Sequence, residues 1–198
     1  MSYSIIGAGA IGSAIATQFA RAKIDVSIAN SRGPASLAEL TGKLGSHVKA
    51  AEVADAVKAD VVFLALPFGA VAEALREAGP WNGRVLVDAT NAIEFPSFKP
   101  KDLGGRLSTE VIADAAPGAR VVKAFNTLPA AVLARDPAEG GGQRVLFVSG
   151  NDATATEAVG ALAKDLGFAS IALGRLDEGG RLQQFGGALV VHNLIKLG

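Results

Sequence analysis

The chain of 198 residues is long enough for one domain with a substantial core, and its 49% apolar, 19% charged composition is unsuited to disorder. Lys plus Arg and Asp plus Glu each number 19, so a net charge of zero gives no general pull toward nucleic acid. Cysteine is absent, which excludes disulfides, thiolate catalysis and cysteine-bound metals.

The opening Met1-Ser2-Tyr3-Ser4 carries no basic leader before an apolar run, and no apolar stretch reaches the length of a membrane span. A soluble cytoplasmic protein without a membrane or nucleic-acid partner is the expectation. Tyr3 to Ile6 predicts a short strand, and Ala10 to Ala22 a packed helix with an Ala, Ile and Phe face. Ile24 to Ala29 predicts a second strand, Ala35 to Leu44 a helix, Val48 a short strand and Ala51 to Val57 a helical turn. Ala59 to Leu66 is almost continuously apolar, as a parallel strand covered on both faces requires. Phe68 to Ala78 predicts a helix and Arg84 to Asp88 a strand.

Asn91 to Arg106, with Pro96, Pro100 and Gly104-Gly105, breaks this rhythm and reads as a surface loop. Helix 107–116 and strand Arg120 to Ala124 resume it. A glycine-rich loop from Asp136 to Gly142 precedes strand Gln143 to Ser149, helix Ala153 to Leu166 and strand Ala169 to Leu173. Glu178 to Lys196 predicts a terminal helix packed on the body or on a second subunit. The alternation is that of an α/β fold with an open, mainly parallel sheet. Residues 1–175 read as one unit and residues 176–198 as a small C-terminal helical segment contributing to an acceptor cleft or a dimer contact.

The most informative stretch is Gly7-Ala8-Gly9-Ala10-Ile11-Gly12, which follows a strand and opens a helix. Gly7 permits the tight turn, Gly9 has no side chain to hold a pyrophosphate away, and Gly12 lets the helix approach the strand. Helix-terminal N–H groups then face the phosphates. Such a turn also occurs in α/β proteins without a cofactor, but its place after the first strand favours a Rossmann-type dinucleotide site.

A second discriminator stands at the end of the next strand, where an NAD site usually carries an Asp or Glu for the ribose hydroxyls. Here the residues are Asn30-Ser31-Arg32-Gly33, while Asp25 lies at the opposite end of the strand. Arg32 offers a forked cation to a 2′-phosphate, with Ser31 and Asn30 as further hydrogen-bonding groups. The same residues would also make a polar turn before a helix begun by Pro34. With the glycine turn alongside, NADP(H) is the expected cofactor.

Leu66, Pro67 and Phe68 end the long apolar strand, and they either border the cofactor or simply start the next helix. Asn91 follows the Asp88 strand end, and Asn126 and Thr127 follow the Ala124 strand end, offering short uncharged groups to the nicotinamide side. The two histidines give little for acid–base or metal chemistry: His47 reads as solvent-facing and His192 as a structural residue on the terminal helix. No protein nucleophile or metal set is evident. Positioning alone suffices for direct hydride transfer, which leans toward a flavin-like acceptor.

Taken together, Gly7-Ala8-Gly9-Ala10-Ile11-Gly12, Asn30-Ser31-Arg32, Leu66-Pro67, Phe125-Asn126-Thr127-Leu128-Pro129-Ala130 and the Leu182 to Ile195 ending resemble the deazaflavin-dependent NADP oxidoreductase family. Members exchange hydride between NADP(H) and coenzyme F-420. The resemblance implies that Ser31 and Arg32 grip the 2′-phosphate and that Leu66, Pro67 and the Asn126 loop shape the nicotinamide side. It also implies a deazaflavin stacked near the nicotinamide, a cleft partly formed by the C-terminal segment, and a homodimer. The domain is similar as well to the NADPH-binding part of membrane metalloreductases. FMN or FAD remains an alternative acceptor, an imine or carbonyl substrate an alternative reaction, and NADPH sensing without catalysis an alternative role.

Overall fold

A computed structural model describes residues 1–76 and 78–198. In chain order the first half holds β1 (Tyr3–Ile6), α1 (Ala10–Ala22), β2 (Val26–Ala29), α2 (Ala38–Leu44), β3 (Val48–Ala50), α3 (Val53–Ala56), β4 (Val61–Leu64), α4 (Val71–Ala74) and β5 (Val85–Asp88). The second half holds β6 (Ile93–Glu94), β7 (Lys99–Pro100), α5 (Ser108–Ala115), β8 (Arg120–Ala124), α6 (Ala130–Leu133), β9 (Gln143–Gly150), α7 (Ala153–Asp165), β10 (Ala169–Ala172), α8 (Gly179–Gln183) and β11 (Ile195–Lys196).

The main sheet runs β10-β9-β8-β5-β4-β1-β2-β3. From β3 to β8 neighbouring strands are parallel, which explains the four fully buried residues of both β4 and β5. The sheet is mixed, because β9 pairs antiparallel with β8 and β10 follows it in parallel. Two apolar layers cover it. One packs α1 and α7 against the sheet around Phe19, Phe63, Phe125 and Phe168, and the other centres on Trp81, Leu64 and Leu86. Phe63 stands edge-on to both Phe19 and Phe125, at centroid distances of 5.7 and 5.3 Å.

The parallel α/β grammar expected from the sequence is present, but the chain ending differs. In place of a helix from Glu178 to Lys196, α8 stops at Gln183, turns follow, and β11 pairs antiparallel with the start of β9. Gly186 takes φ +88°, and a Cβ on Gly187 would lie 2.5 Å from the Leu182 carbonyl oxygen, so a continued helix gives way to a tight turn. Helices are spread through the chain rather than gathered in a C-terminal segment. The expected helix from Phe68 to Ala78 is shorter as well: a 3₁₀ turn over Phe68–Ala70 leads into one α-helical turn, α4. Glu77, within that expected helix, lies outside the described residues. The Asn91 to Arg106 loop contains the small β6–β7 hairpin. Among the described residues, no helix is long and apolar enough to cross a membrane.

Candidate functional site

The sequence order β1-β2-β3 on one side of β1 and β4-β5 on the other creates a topological switch point. Open α/β sheets bind ligands there, beyond the carboxyl ends of their strands. Gly7 N–H donates to the Ala29 carbonyl and Ala65 N–H to the Ile6 carbonyl, each at 2.8 Å, so three strand ends meet at the glycine turn. A groove of about 800 Å³ opens over them.

Each glycine of the turn has a separate reason. Gly7 has φ +107°, and a Cβ on it would strike the Ala65 backbone. A Cβ on Gly12 would strike the Gly7 carbonyl, so this residue sets how closely α1 approaches the turn. Gly9 is different: a Cβ there meets nothing within 4 Å and would project into open space at the helix start. Gly9 caps α1 without a side-chain hydrogen bond, and the first turn carries no acidic residue. The first N–H groups of α1 therefore stand ready for an acceptor, reinforced by the helix dipole.

Of the residues expected at a cofactor site, Gly7, Ala8, Gly9, Asn30, Ser31, Arg32, Leu66 and Pro67 line this groove. Asn30 shapes the loop rather than reaching outward: its Oδ1 accepts from Arg32 N–H at 2.9 Å and its Nδ2 donates to Ser36 Oγ at 3.0 Å. Arg32 is exposed and its guanidinium has no hydrogen-bond or ion-pair partner among the described residues. Ala10, Ile11 and Gly12 belong to the first turn of α1 and lie outside the groove wall. Phe68 also lies outside it, packed on the Trp81 core layer.

The sequence reading missed the opposite wall. Val53 and Val57, and Ala70 and Ala74, line the groove as two apolar pairs, each spaced by four residues. That spacing puts each pair on one helical face, and it was the available signal. Glu73 and Arg76 complete the rim with an exposed ion pair at 3.8 Å.

Asn91, Asn126 and Thr127 form a second cluster at the ends of β5 and β8. Asn126 Nδ2 donates to Asn91 Oδ1 at 3.0 Å and to the Gln183 carbonyl at 2.6 Å, while Asn91 Nδ2 donates to the Asn126 carbonyl at 2.9 Å. The Gln183 carbonyl accepts only, which fixes the Asn126 amide and leaves its Oδ1 buried without a partner. Phe125 before it holds φ +63°, a costly conformation for a bulky residue, retained by its aromatic neighbours. Thr127 contributes its carbonyl to Val191 N–H at 2.7 Å.

Beneath this cluster lies a closed polar centre. Lys123 Nζ, fully buried, donates to Asp88 Oδ2 and to the Thr90 carbonyl, both at 2.8 Å. Gln183, also fully buried, donates through Nε2 to the Lys123 and Phe147 carbonyls and accepts from Ser149 Oγ. It ties α8 to β8 and β9, and no motif in the sequence marks it. His192 stands exposed in irregular chain before β11 instead of on a packed helix. His47 pairs with Asp25 at 2.7 Å, at the end of β2 away from the groove.

Comparison with known proteins agrees with this architecture. The family model described as NADP oxidoreductase, coenzyme F-420-dependent, matches residues 2–92. A crystal structure of a hypothetical protein from Sinorhizobium meliloti is 57% identical, with TM-score 0.96, over 99% of this chain and 96% of that one. A structure from Arthrobacter sp. FB24, described as a putative F-420-dependent NADP reductase, is 30% identical with TM-score 0.74, over 89% of this chain and 86% of that one. Metalloreductase STEAP3 of Rattus norvegicus is 27% identical over 87% of this chain, which spans only 33% of that protein's length. The chain belongs to the Rossmann-fold NADP(H)-binding family related to the coenzyme F-420-dependent reductases and to the NADPH domains of metalloreductases.

Proposed function

We propose that the chain is an NADP(H)-dependent oxidoreductase that moves a hydride between the nicotinamide and a deazaflavin or flavin-like acceptor. The observation that carries this reading is the groove at the switch point, with open space in front of Gly9 and an unengaged Arg32 at its rim. Those features fit a dinucleotide. The α1 N-terminus takes the pyrophosphate, Arg32 and Ser31 take the 2′-phosphate, and the Val53–Val57 and Ala70–Ala74 wall takes the adenine. On the same reading, residues 1–175 hold the cofactor and residues 176–198 border the acceptor.

The orphaned Asn126 Oδ1 suits an N–H donor such as a carboxamide, and its two donated bonds keep that oxygen in place. Leu66 and Pro67 line the groove just after β4, the strand paired with β5, which leads to Asn91. When bound, NADPH supplies a hydride from nicotinamide C4. The chain's part is to hold the dinucleotide and orient its ring. Asn91, Asn126 and Thr127 are uncharged, and the Lys123–Asp88 pair is closed to solvent. That setting favours an acceptor able to carry the added electrons within its own ring system, as coenzyme F-420, FMN and FAD can.

Anaerobic stopped-flow absorbance with NADPH and a panel of deazaflavin, FMN, FAD and small imines tests the assignment. Rapid loss at about 340 nm with a deazaflavin or flavin is the expected outcome. Loss only with an imine would overturn the acceptor class.

A further inference from the structure

We infer that a second pocket, walled by the loop after β7, the start of α5 and the end of α8, holds the phosphate or carboxylate group of a small molecule. Its volume is about 310 Å³. Lys101, Arg106 and Arg181 line it with one carboxylate, Asp102, while Asp114 pairs with Arg106 from outside the pocket lining. Concave walls concentrate the field of these charges where a convex surface would disperse it.

The cations retain donors for a ligand. The Lys101 ammonium has no partner among the described residues. Arg181 spends Nε on the Asp177 carbonyl at 3.0 Å, and Arg106 spends one terminal nitrogen on Asp114 at 2.7 Å, leaving the remaining guanidinium donors of each. Asp102 Oδ1 accepts from Gly104 N–H at 2.9 Å within the loop.

Ser108 supplies an independent observation. It lines the pocket at the first position of α5, is only 2% exposed, and its hydroxyl has no hydrogen-bond partner. Its N–H reaches Gln184 Oε1 only at 3.4 Å, while the neighbouring Leu107 N–H is capped by Glu110 at 2.8 Å. A buried hydroxyl without a partner is costly, and an anion resolves that cost together with the helix dipole.

The pocket adjoins the nicotinamide-side cluster through the chain itself: Ala92 follows Asn91, and Gln184 follows Gln183. The anion then belongs to the acceptor, a step that rests on the function proposed above. The pocket's affinity for anions does not rest on it.

Calorimetric titration of the full chain with inorganic phosphate, and separately with citrate, tests the site in wild type, Lys101→Gln/Arg181→Gln and Arg32→Ala. Saturable binding of either anion in wild type is expected, and the anion that binds identifies the group. The double variant, altered only at exposed side chains, should weaken it about tenfold or more, while Arg32→Ala keeps it. NADPH affinity in the double variant should stay within about twofold of wild type. Absence of saturable binding, or binding lost in Arg32→Ala and kept in the double variant, would overturn the inference. A wild type that fails to bind NADPH but binds phosphate through Lys101 and Arg181 would refute the proposed function and leave this pocket standing.

Discussion

Two glycines two residues apart make opposite demands on the chain. Gly7 is required by the fold, since its φ of +107° and the Ala65 backbone leave no place for a Cβ. Gly9 is not, because its φ of −76° is ordinary and a Cβ there is free of contacts. Gly7→Ala should therefore cost about 3 kcal/mol in urea unfolding. Gly9→Ala should change stability by no more than about 1 kcal/mol, yet weaken NADPH about tenfold. Wild-type NADPH affinity in Gly9→Ala would remove the pyrophosphate from this turn. At the buried Lys123–Asp88 pair, Lys123→Met should cost about 3–5 kcal/mol by leaving a carboxylate alone in the core. Adding Asp88→Asn, which keeps an oxygen for the Thr90 N–H and hydroxyl, should recover part of that loss. Urea unfolding of the single and double variants measures the difference.

Among the elements, β1 carries the glycine turn and is anchored at its other end. Asp60 Oδ2 accepts from Ser2 N–H at 2.7 Å and from Ser2 Oγ at 3.1 Å, which ties the chain start to the residue before β4. The Ser2 backbone N–H, and then its hydroxyl, hold the Asp60 carboxyl below the usual carboxylate range. With the folded value depressed, the unfolded chain takes up the proton first as pH falls. The anchor's stabilisation is thus present at neutral pH and lost as pH drops through the folded value. Asp60→Asn should flatten that acid limb in melting curves from about pH 7 to about pH 2, with little change at neutral pH beyond the lost anchor. An unchanged acid limb would show that other carboxylates govern it. At the opposite end of the molecule, α8 has only five residues, and it is the four hydrogen bonds around Gln183 that hold it rather than helix length.

Across the whole molecule, local patterns reveal most where one residue type answers one geometric need. The glycine turn, the all-apolar β4 and the cationic Arg32 were legible because sterics, two-sided burial and charge each leave a mark in sequence. The direction of β9 and the end of the chain were not, since antiparallel pairing and the Gly186–Gly187 turn depend on partners distant in sequence. The apolar wall of the groove and the Gln183 centre were obscure for the same reason: small aliphatic residues and a lone glutamine acquire meaning only from their neighbours. NADPH recognition rests on Arg32, which lines the groove uniting β1, β2 and β4. Fluorescence titration of wild type and Arg32→Ala with NADPH and NADH measures its part. Wild type should prefer NADPH, and Arg32→Ala should weaken NADPH by about 10- to 100-fold while leaving NADH nearly unchanged. Equal loss for both cofactors, or none for NADPH, would contradict it.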